Sequence, residues 1–349
     1  FARRTLSTPS LHKLRCFAPS STSNDFNYEV ILMIVIRSLE QLHTFTEPCV
    51  IALGTFDGLH LGHKDVIGSA KEYAQQHGER LAVFTFSNHP LSLIKPELVP
   101  VALLSQEQKH ACFEAMGVDL LLDIPFNEAL ANLSPQEFLQ KLGVLKFSCL
   151  VVGENFSFGK GGAGNIQTLT AFAQENNCKL IVRPLVSDDA TVISSTAIRH
   201  LIAAGEVAKA RYMLGRAYSL SGIVVRGAQR GNKIGFPTAN LALEAAKIAV
   251  PSIGVYAVKV YFDGKCYKGM GNIGKNPTFG ELEEARLEVN IFDFDGDLYD
   301  KEITVAFYER IRGEVKFNGV DELVGQIKKD KETVLNCLAK EASLLNEAL

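Results

Sequence analysis

An apolar run, Val50-Ile51-Ala52-Leu53, passes directly into Gly54-Thr55-Phe56-Asp57-Gly58-Leu59-His60-Leu61-Gly62-His63, and from Lys64 to Lys71 the chain takes up helical spacing. Strand, glycine-rich turn and helix start, in that order, leave few folds open. The run reads as a buried strand and the turn as its crossing to a helix packed on the same sheet. A helix start offers unpaired N–H groups and a positive dipole end, so the junction reads as a phosphate site. Gly54, Gly58 and Gly62 let backbone approach a phosphate chain closely. His60 and His63, three apart, can face one way and donate hydrogen bonds to charge building on the α-phosphate of ATP. The candidate ATP-binding residues of this stretch are Gly54, Phe56, Asp57, Gly58 and Gly62, with His60 and His63 as the catalytic pair. A zincin is excluded, because it needs glutamate beside the first histidine and a second histidine four residues on, and Leu61 breaks that pattern.

The alternation continues from residue 30 to about 200. Strands are expected at 30–36, 50–53, 81–86, 120–124, 149–153 and 179–182, with helices near 62–77, 105–116, 134–142 and 166–176. Strands alternating with helices imply an α/β domain, Rossmann-like, with a mostly parallel sheet. Such sheets bind ligands beyond the carboxyl ends of their strands, which is where the 54–63 stretch falls. A second piece, Ile193-Ser194-Ser195-Thr196-Ala197-Ile198-Arg199, puts three hydroxyls before a helical pattern and a guanidinium one turn in. Those groups suit either N-capping or the β,γ-phosphates and leaving pyrophosphate of ATP. Between the two lies Gly153-Glu154-Asn155-Phe156-Ser157-Phe158-Gly159-Lys160-Gly161-Gly162, which has the wrong spacing for a P-loop. It reads as a substrate loop with Asn155 as its polar contact, or as an ordinary glycine-rich connection.

Bulk properties set the frame. At 349 residues the chain has room for about two domains. With 47% hydrophobic and 21% charged residues it reads as globular, and a net charge of −3 gives no basic surface for nucleic acid or membrane. The 7 cysteines are spread singly, without a C-x-x-C pair, as expected of reduced thiols in the cytoplasm. Residues 1–32 carry Arg3, Arg4, Lys13 and Arg15 and a Ser-rich stretch. They read as a disordered extension or a transit-like segment ahead of Met33.

Past a helical linker at 205–216 the character changes to short β-rich segments, at 219–225, 254–262, 266–273, 286–293 and 301–308. Asp263-Gly264 and Asp295-Gly296-Asp297 are hairpin signals, so a compact antiparallel β-barrel is expected. A helix over 321–339 would cover it. Gly269-Met270-Gly271-Asn272-Ile273-Gly274 matches G-x-G-x-x-G, but Lys275-Asn276-Pro277 forbids the helix that a dinucleotide site requires. Asp293, Asp295 and Asp297 fail the calcium-loop pattern, with glycine at position four and Thr304 at the bidentate place. Gly235-Phe236-Pro237-Thr238-Ala239-Asn240-Leu241 places two hard oxygen ligands, Thr238 and Asn240, two apart. That suits Mg²⁺ shared with nucleotide phosphates, or simply a turn. In Arg286-Leu287-Glu288-Val289-Asn290-Ile291, period-two alternation sets Leu287, Val289 and Ile291 on one face and Glu288 on the other.

Together, G-T-F-D-G-L-H-L-G-H and I-S-S-T-A-I-R resemble the FMN adenylyltransferase half of the bacterial bifunctional riboflavin kinase/FAD synthetases, and G-F-P-T-A-N-L resembles their kinase signature. The resemblance runs from about Met33 to 340. It implies an adenylyltransferase domain at 33–204, a linker helix at 205–216 and a riboflavin kinase domain at 217–345. In the first, His60 and His63 would stabilise the transferring phosphoryl group, Asn155 would contact nucleotide or flavin phosphate, and Ser194, Ser195, Thr196 and Arg199 would hold phosphates. In the second, Thr238 and Asn240 would hold Mg·ATP under a loop spanning Gly227 to Lys233, with Gly235 and Pro237 beside them and Glu288 as the base. Ser157 and Gly162 stand where many members have arginine, and Asn290 where many have histidine. The implied partners are small molecules (riboflavin, FMN, FAD and ATP, with Mg²⁺), and a monomer or weak homo-oligomer is expected. Two rivals remain from the sequence alone: an H-x-G-H nucleotidylyltransferase for another acceptor, and a flavin-binding module without catalysis.

Overall fold

Alternate residues along each strand of the first sheet divide between two apolar clusters, one on each face. Ile51, Leu53, Phe84, Leu122, Leu150 and Val152 pack on one side, and Val50, Ala52, Val83, Leu121 and Val151 on the other. A sheet buried on both faces explains why β2 (Cys49–Leu53) and β4 (Leu120–Ile124) read as continuous apolar runs rather than alternating ones. The computed structural model describes residues 32–188, 191–227, 231, 235–243, 247–275 and 285–347. Residues 1–31 of the expected extension, and Lys233 with most of its loop, lie outside the described residues.

The chain divides into two units, one of residues 32–218 with 247–252, the other of 219–243 with 253–347. In the first unit, β1 (Ile34–Ile36), β2, β3 (Arg80–Phe86), β4, β5 (Phe147–Gly153) and β6 (Lys179–Arg183) form one sheet in the order β1-β4-β3-β2-β5-β6. Every pairing in it is parallel. The strand order reverses between β2 and β5, and the crevice beyond their carboxyl ends is where such sheets take ligands. The helices are α1 (Leu61–His77), α2 (Leu91–Ile94), α3 (Gln106–Met116), α4 (Glu128–Ala131), α5 (Pro135–Leu142), α6 (Ile166–Glu175), α7 (Ser195–Ala204) and α8 (Val207–Leu214). Capping boxes start three of them, Ser105 with Gln108 on α3, Ser134 with Glu137 on α5 and Asn165 with Thr168 on α6. The short hairpin of β7 (Ser187–Asp188) and β8 (Thr191–Val192) was not foreseen, being too brief to carry a period. Residues 247–249 also belong to this unit: the Ala102 N–H donates to the Lys247 carbonyl at 2.8 Å, the Ala249 N–H donates to the Ala102 carbonyl at 2.9 Å, and the Tyr218 hydroxyl donates to the Ala249 carbonyl.

The second unit is a closed barrel of β9 (Tyr218–Val225), β10 (Ala239–Leu241), β11 (Gly254–Phe262), β12 (Lys265–Lys275), β13 (Ala285–Ile291) and β14 (Glu302–Arg312), with antiparallel pairings. Asp263 and Gly264, at φ 47° and 71°, make the two-residue turn that joins β11 to β12. The Gly269–Gly274 motif lies wholly inside strand β12, which runs on through Lys275. The strand expected over 286–293 stops at Ile291, where the chain turns through Asp293 at φ 54°. Asp293, Asp295 and Asp297 are exposed, and no group of three or more His, Cys, Asp or Glu side chains that could hold a metal ion occurs among the described residues. Helix α9 (Val320–Glu347) lays Val334 and Leu338 on Ala257 and Phe292. Arg312 of β14 pairs with buried Asp330 of α9 through Nε at 2.9 Å and Nη2 at 2.8 Å. Among the described residues no helix is long and apolar enough to cross a membrane.

Candidate active sites

The loop after β2 ends at His60, which is the N-cap of α1. Its Nδ1 accepts from the His63 N–H at 3.4 Å, so the imidazole proton resides on Nε2 and that edge is the donor. The His60 and His63 rings stack with centroids 3.6 Å apart, and Phe56 meets His63 edge-on at 5.4 Å. The two histidines therefore do face one way. Burial pushes His60 down to about 4, opposed by the Asp57 carboxylate and assisted by the Arg216 guanidinium. Burial also holds His63 well below the ordinary imidazole value, with the neighbouring His60 and Lys109 acting in the same direction. Both are neutral at pH 7, and His63 Nδ1 is buried without a partner.

α7 reaches this loop. The Ser195 hydroxyl donates to the Asp57 carbonyl at 2.7 Å, and Arg199 pairs with the Asp57 carboxylate while its Nε donates to the Val101 carbonyl at 2.7 Å. Ser194 Oγ is spent as the N-cap of α7, accepting from the Ala197 N–H at 3.2 Å, and Thr196 is exposed. Asn155 follows the carboxyl end of β5 and is exposed, beside the point where the strand order reverses. Ser157 and Gly162 approach each other in the same loop, a Cβ at 162 lying 3.5 Å from the Ser157 hydroxyl.

Sequence reasoning missed the residues that hold the loop from behind. Lys109 Nζ donates to Thr85 Oγ1 at 2.9 Å, to the Phe86 carbonyl at 3.0 Å and to the Thr55 carbonyl at 3.3 Å, while burial lowers its amine to about 8. Arg216 holds the carbonyls of Gly58 and Leu59. Neither cation lies in a motif, and charge spacing carries no signal for them.

In the barrel, Asn240 of β10 and Asn272 of β12 are both directly paired with Glu288 of β13, so the three side chains form one row across three strands. Leu287 and Val289 are fully buried on the opposite face, as the alternation required. Arg286 joins the row: one Nη donates to Asn240 Oδ1, and Nε lies 3.3 Å from Glu288 Oε1. Gly227 packs against both Arg286 and Asn240, so closely that a Cβ there would overlap them. Asn290 Nδ2 donates to the Pro237 carbonyl at 2.7 Å, which fixes the Pro237–Thr238 backbone and gives position 290 a role the sequence left open. Thr238 is half-buried and its carbonyl faces Asn240 Nδ2 at 3.5 Å. Gly235 turns the chain at φ 79° just before Pro237.

A parallel sheet with a neutral histidine pair at a helix start, joined to a small closed barrel with a polar row on β13, defines the class: an H-x-G-H nucleotidyltransferase fused to a barrel of the flavokinase kind. The FAD synthetase family model matches residues 42–197 and the riboflavin kinase family model residues 214–338. The chain is 42% identical over 290 residues to the bifunctional riboflavin kinase/FMN adenylyltransferase of Bacillus subtilis, covering 82% of this chain and 91% of that protein. Against the Escherichia coli K12 protein of the same name it is 34% identical over 305 residues, covering 86% and 96%. The chain belongs to the bifunctional riboflavin kinase/FMN adenylyltransferase family. Among solved structures, one described as a macrolide-efflux protein from Streptococcus pneumoniae is 34% identical, with a TM-score of 0.79 over 87% of this chain and 99% of that one.

Proposed function

We propose that this chain makes FAD from riboflavin in two ATP-dependent steps, each on its own unit. The observation that carries this is the pairing of a stacked, neutral His60–His63 couple at the start of α1 with a separate Asn240–Glu288 row in the barrel. In the barrel the riboflavin 5′-hydroxyl attacks the γ-phosphate of ATP, giving FMN and ADP. Glu288 orients that hydroxyl and takes its proton. In the first unit a phosphate oxygen of FMN attacks the α-phosphate of ATP, and pyrophosphate leaves with no covalent intermediate. His60, through Nε2–H, and His63 donate to the charge that builds on the attacked phosphorus, and the free N–H groups of α1 add to it. Neutral donors suit this work, since they need lose no proton to a neighbouring triphosphate. Arg199, Ser195 and Thr196 are proposed to hold the leaving pyrophosphate, Ser194 contributing through the α7 start that its hydroxyl caps, and Asn155 to contact the nucleotide or flavin phosphate. Gly54, Phe56, Asp57, Gly58 and Gly62 shape the ATP cradle.

The donor chemistry of Thr238 and Asn240, a hydroxyl and an amide oxygen with the Glu288 carboxylate in the same row, fits a hard divalent cation. Thr238 and Asn240 would hold Mg²⁺, which would supply neutralisation of phosphate charge. Asn240 Oδ1 accepts from Arg286, so that guanidinium would have to release it for Asn240 to hold the ion. Gly227, Gly235 and Pro237 are proposed to line the nucleotide, with Lys233, outside the described residues, assigned to it from the sequence motif. Cys49, Cys112, Cys149, Cys178, Cys266 and Cys337 form no disulfide among the described residues, which supports a reducing compartment, and the proposed location is the cytoplasm.

The test is direct: purified chain with riboflavin, ATP and Mg²⁺, products resolved by chromatography. FMN should appear first and FAD after it. FMN without FAD would refute the adenylylation step, and the absence of any flavin product would favour a binding module.

A further inference from the structure

We propose that Arg216 is a positioning residue for adenylyl transfer, fixing the backbone of Gly58 and Leu59 so that His60 and His63 are presented to the α-phosphate. The inference rests on the assignment of that reaction to this loop. Arg216 Nη2 donates to the Gly58 carbonyl at 2.8 Å and Nη1 to the Leu59 carbonyl at 3.0 Å. These two residues have φ of 77° and 45°, a left-handed stretch that a leucine adopts only where its surroundings hold it. Leu59 is fully buried, so its side chain is committed as well as its backbone. In a trans peptide the N–H points away from the carbonyl, so with both carbonyls turned to Arg216 the N–H groups of Leu59 and His60 point to the opposite side.

Arg216 is itself fastened to the helix that carries His63. Gly215 ends α8 at φ 62°, and its carbonyl accepts from Lys64 Nζ of α1 at 3.1 Å. A Cβ at 215 would lie 2.6 Å from Leu61 Cδ2, so residue 215 sits directly on the first turn of α1. The guanidinium thus bridges the loop before the histidines and the segment seated on the turn after them. Its charge beside His60 adds to burial in keeping that imidazole neutral, against Asp57, while His63 stacks on the other side of the ring. Residue 216 falls within the stretch that the riboflavin kinase model matches, 214–338, yet its contacts serve the nucleotidyltransferase loop. A lysine cannot replace it, since a single ammonium does not offer the planar fork that holds two carbonyls.

The experiment uses the full chain with Arg216→Ala, Arg216→Lys and His60→Ala, each assayed for riboflavin phosphorylation and for FMN-to-FAD conversion, with the His60 imidazole titrated by NMR. Both arginine variants should lose about 100-fold in kcat for FAD formation, with far smaller change in KM for ATP, because the reacting geometry rather than substrate affinity is lost. Riboflavin phosphorylation should be unchanged, and His60 should titrate at a higher pH in Arg216→Ala. Added guanidinium ion should restore part of the Arg216→Ala rate. Retention of kcat to within about twofold in Arg216→Ala while His60→Ala is inactive would overturn the proposal, as would lost activity with an unmoved His60 titration. If His60→Ala still forms FAD, the assignment of the reaction to this loop fails first, and the role of Arg216 with it.

Discussion

The two sites are built on opposite principles. In the first unit the proposed chemistry rests on a loop, and cations hold that loop by its backbone: Lys109 on Thr55, Arg216 on Gly58 and Leu59, with Arg199 pairing the carboxylate of Asp57. In the barrel the proposed chemistry rests on a strand face, where Asn240, Glu288 and Asn272 are set in a row by β-register. A helix start supplies N–H donors and a positive end but no rigidity to the loop leading into it, so the first site needs restraints from several elements. A pleated strand fixes its side-chain directions by period, so the second needs fewer. The sites also differ in what titrates: all eight histidines of the chain lie at or before His200, and the barrel has none.

This contrast can be broken most decisively at His63. His63→Ala should lower FMN-to-FAD conversion by about 10²- to 10³-fold, the usual effect of removing one donor to developing charge, and leave riboflavin phosphorylation at its original rate. Loss of both would deny that the first site is separate. The barrel is probed through Asp330→Ala, which strands Arg312 without its carboxylate and should cost about 3 kcal/mol of second-unit stability. Thermal denaturation followed by the two activities should show kinase activity failing earlier and adenylyl transfer unaltered.

Acid sharpens the comparison further. His60 titrates near 4 in the folded chain against 6.5 unfolded, so below pH 6.5 the unfolded state binds protons that the folded state refuses. Stability of the first unit therefore falls as pH drops from 6.5 toward 4, by about 2 kcal/mol at pH 5 from this histidine, and His63 acts in the same direction. Denaturant midpoints at pH 7 and pH 5 should shift for adenylyl transfer and far less for the kinase. An equal shift of both would mean that carboxylates rather than the buried histidines dominate.

Much of this was legible beforehand because its causes are local. Apolar runs and caps placed the later strands and the longer helices of the first sheet within one or two residues, while β1 begins only at Ile34 and not at 30, and Asp263-Gly264 named its turn. β10 was read as a motif and not as a strand, since three residues are too few to show a period. Contiguous motifs point to candidate residues; side chains that hold those motifs from a distance leave no such mark. Arg286 lay in view within its strand, but its grip on Asn240 depends on β10 pairing with β13. Arg216 and Lys109 hold carbonyls far away in sequence, and backbone carbonyls leave no trace in residue type. Ser194 shows the converse: its motif fitted a phosphate or a cap, and the structure uses its hydroxyl as a cap.

The smallest expected effect is at the β11–β12 turn. Gly264→Ala must keep φ 71° with no neighbour within 4 Å, so it should cost about 1 kcal/mol of barrel stability from backbone strain alone and leave both activities intact. A larger loss would mean that this turn is coupled to the polar row.

Glu288→Ala tests the division of labour most directly. In the same preparation, FMN formation from riboflavin should be abolished, while FAD formation from supplied FMN should proceed at the unaltered rate. Equal loss of both steps would contradict two independent sites, and undiminished FMN formation would remove Glu288 from the kinase chemistry.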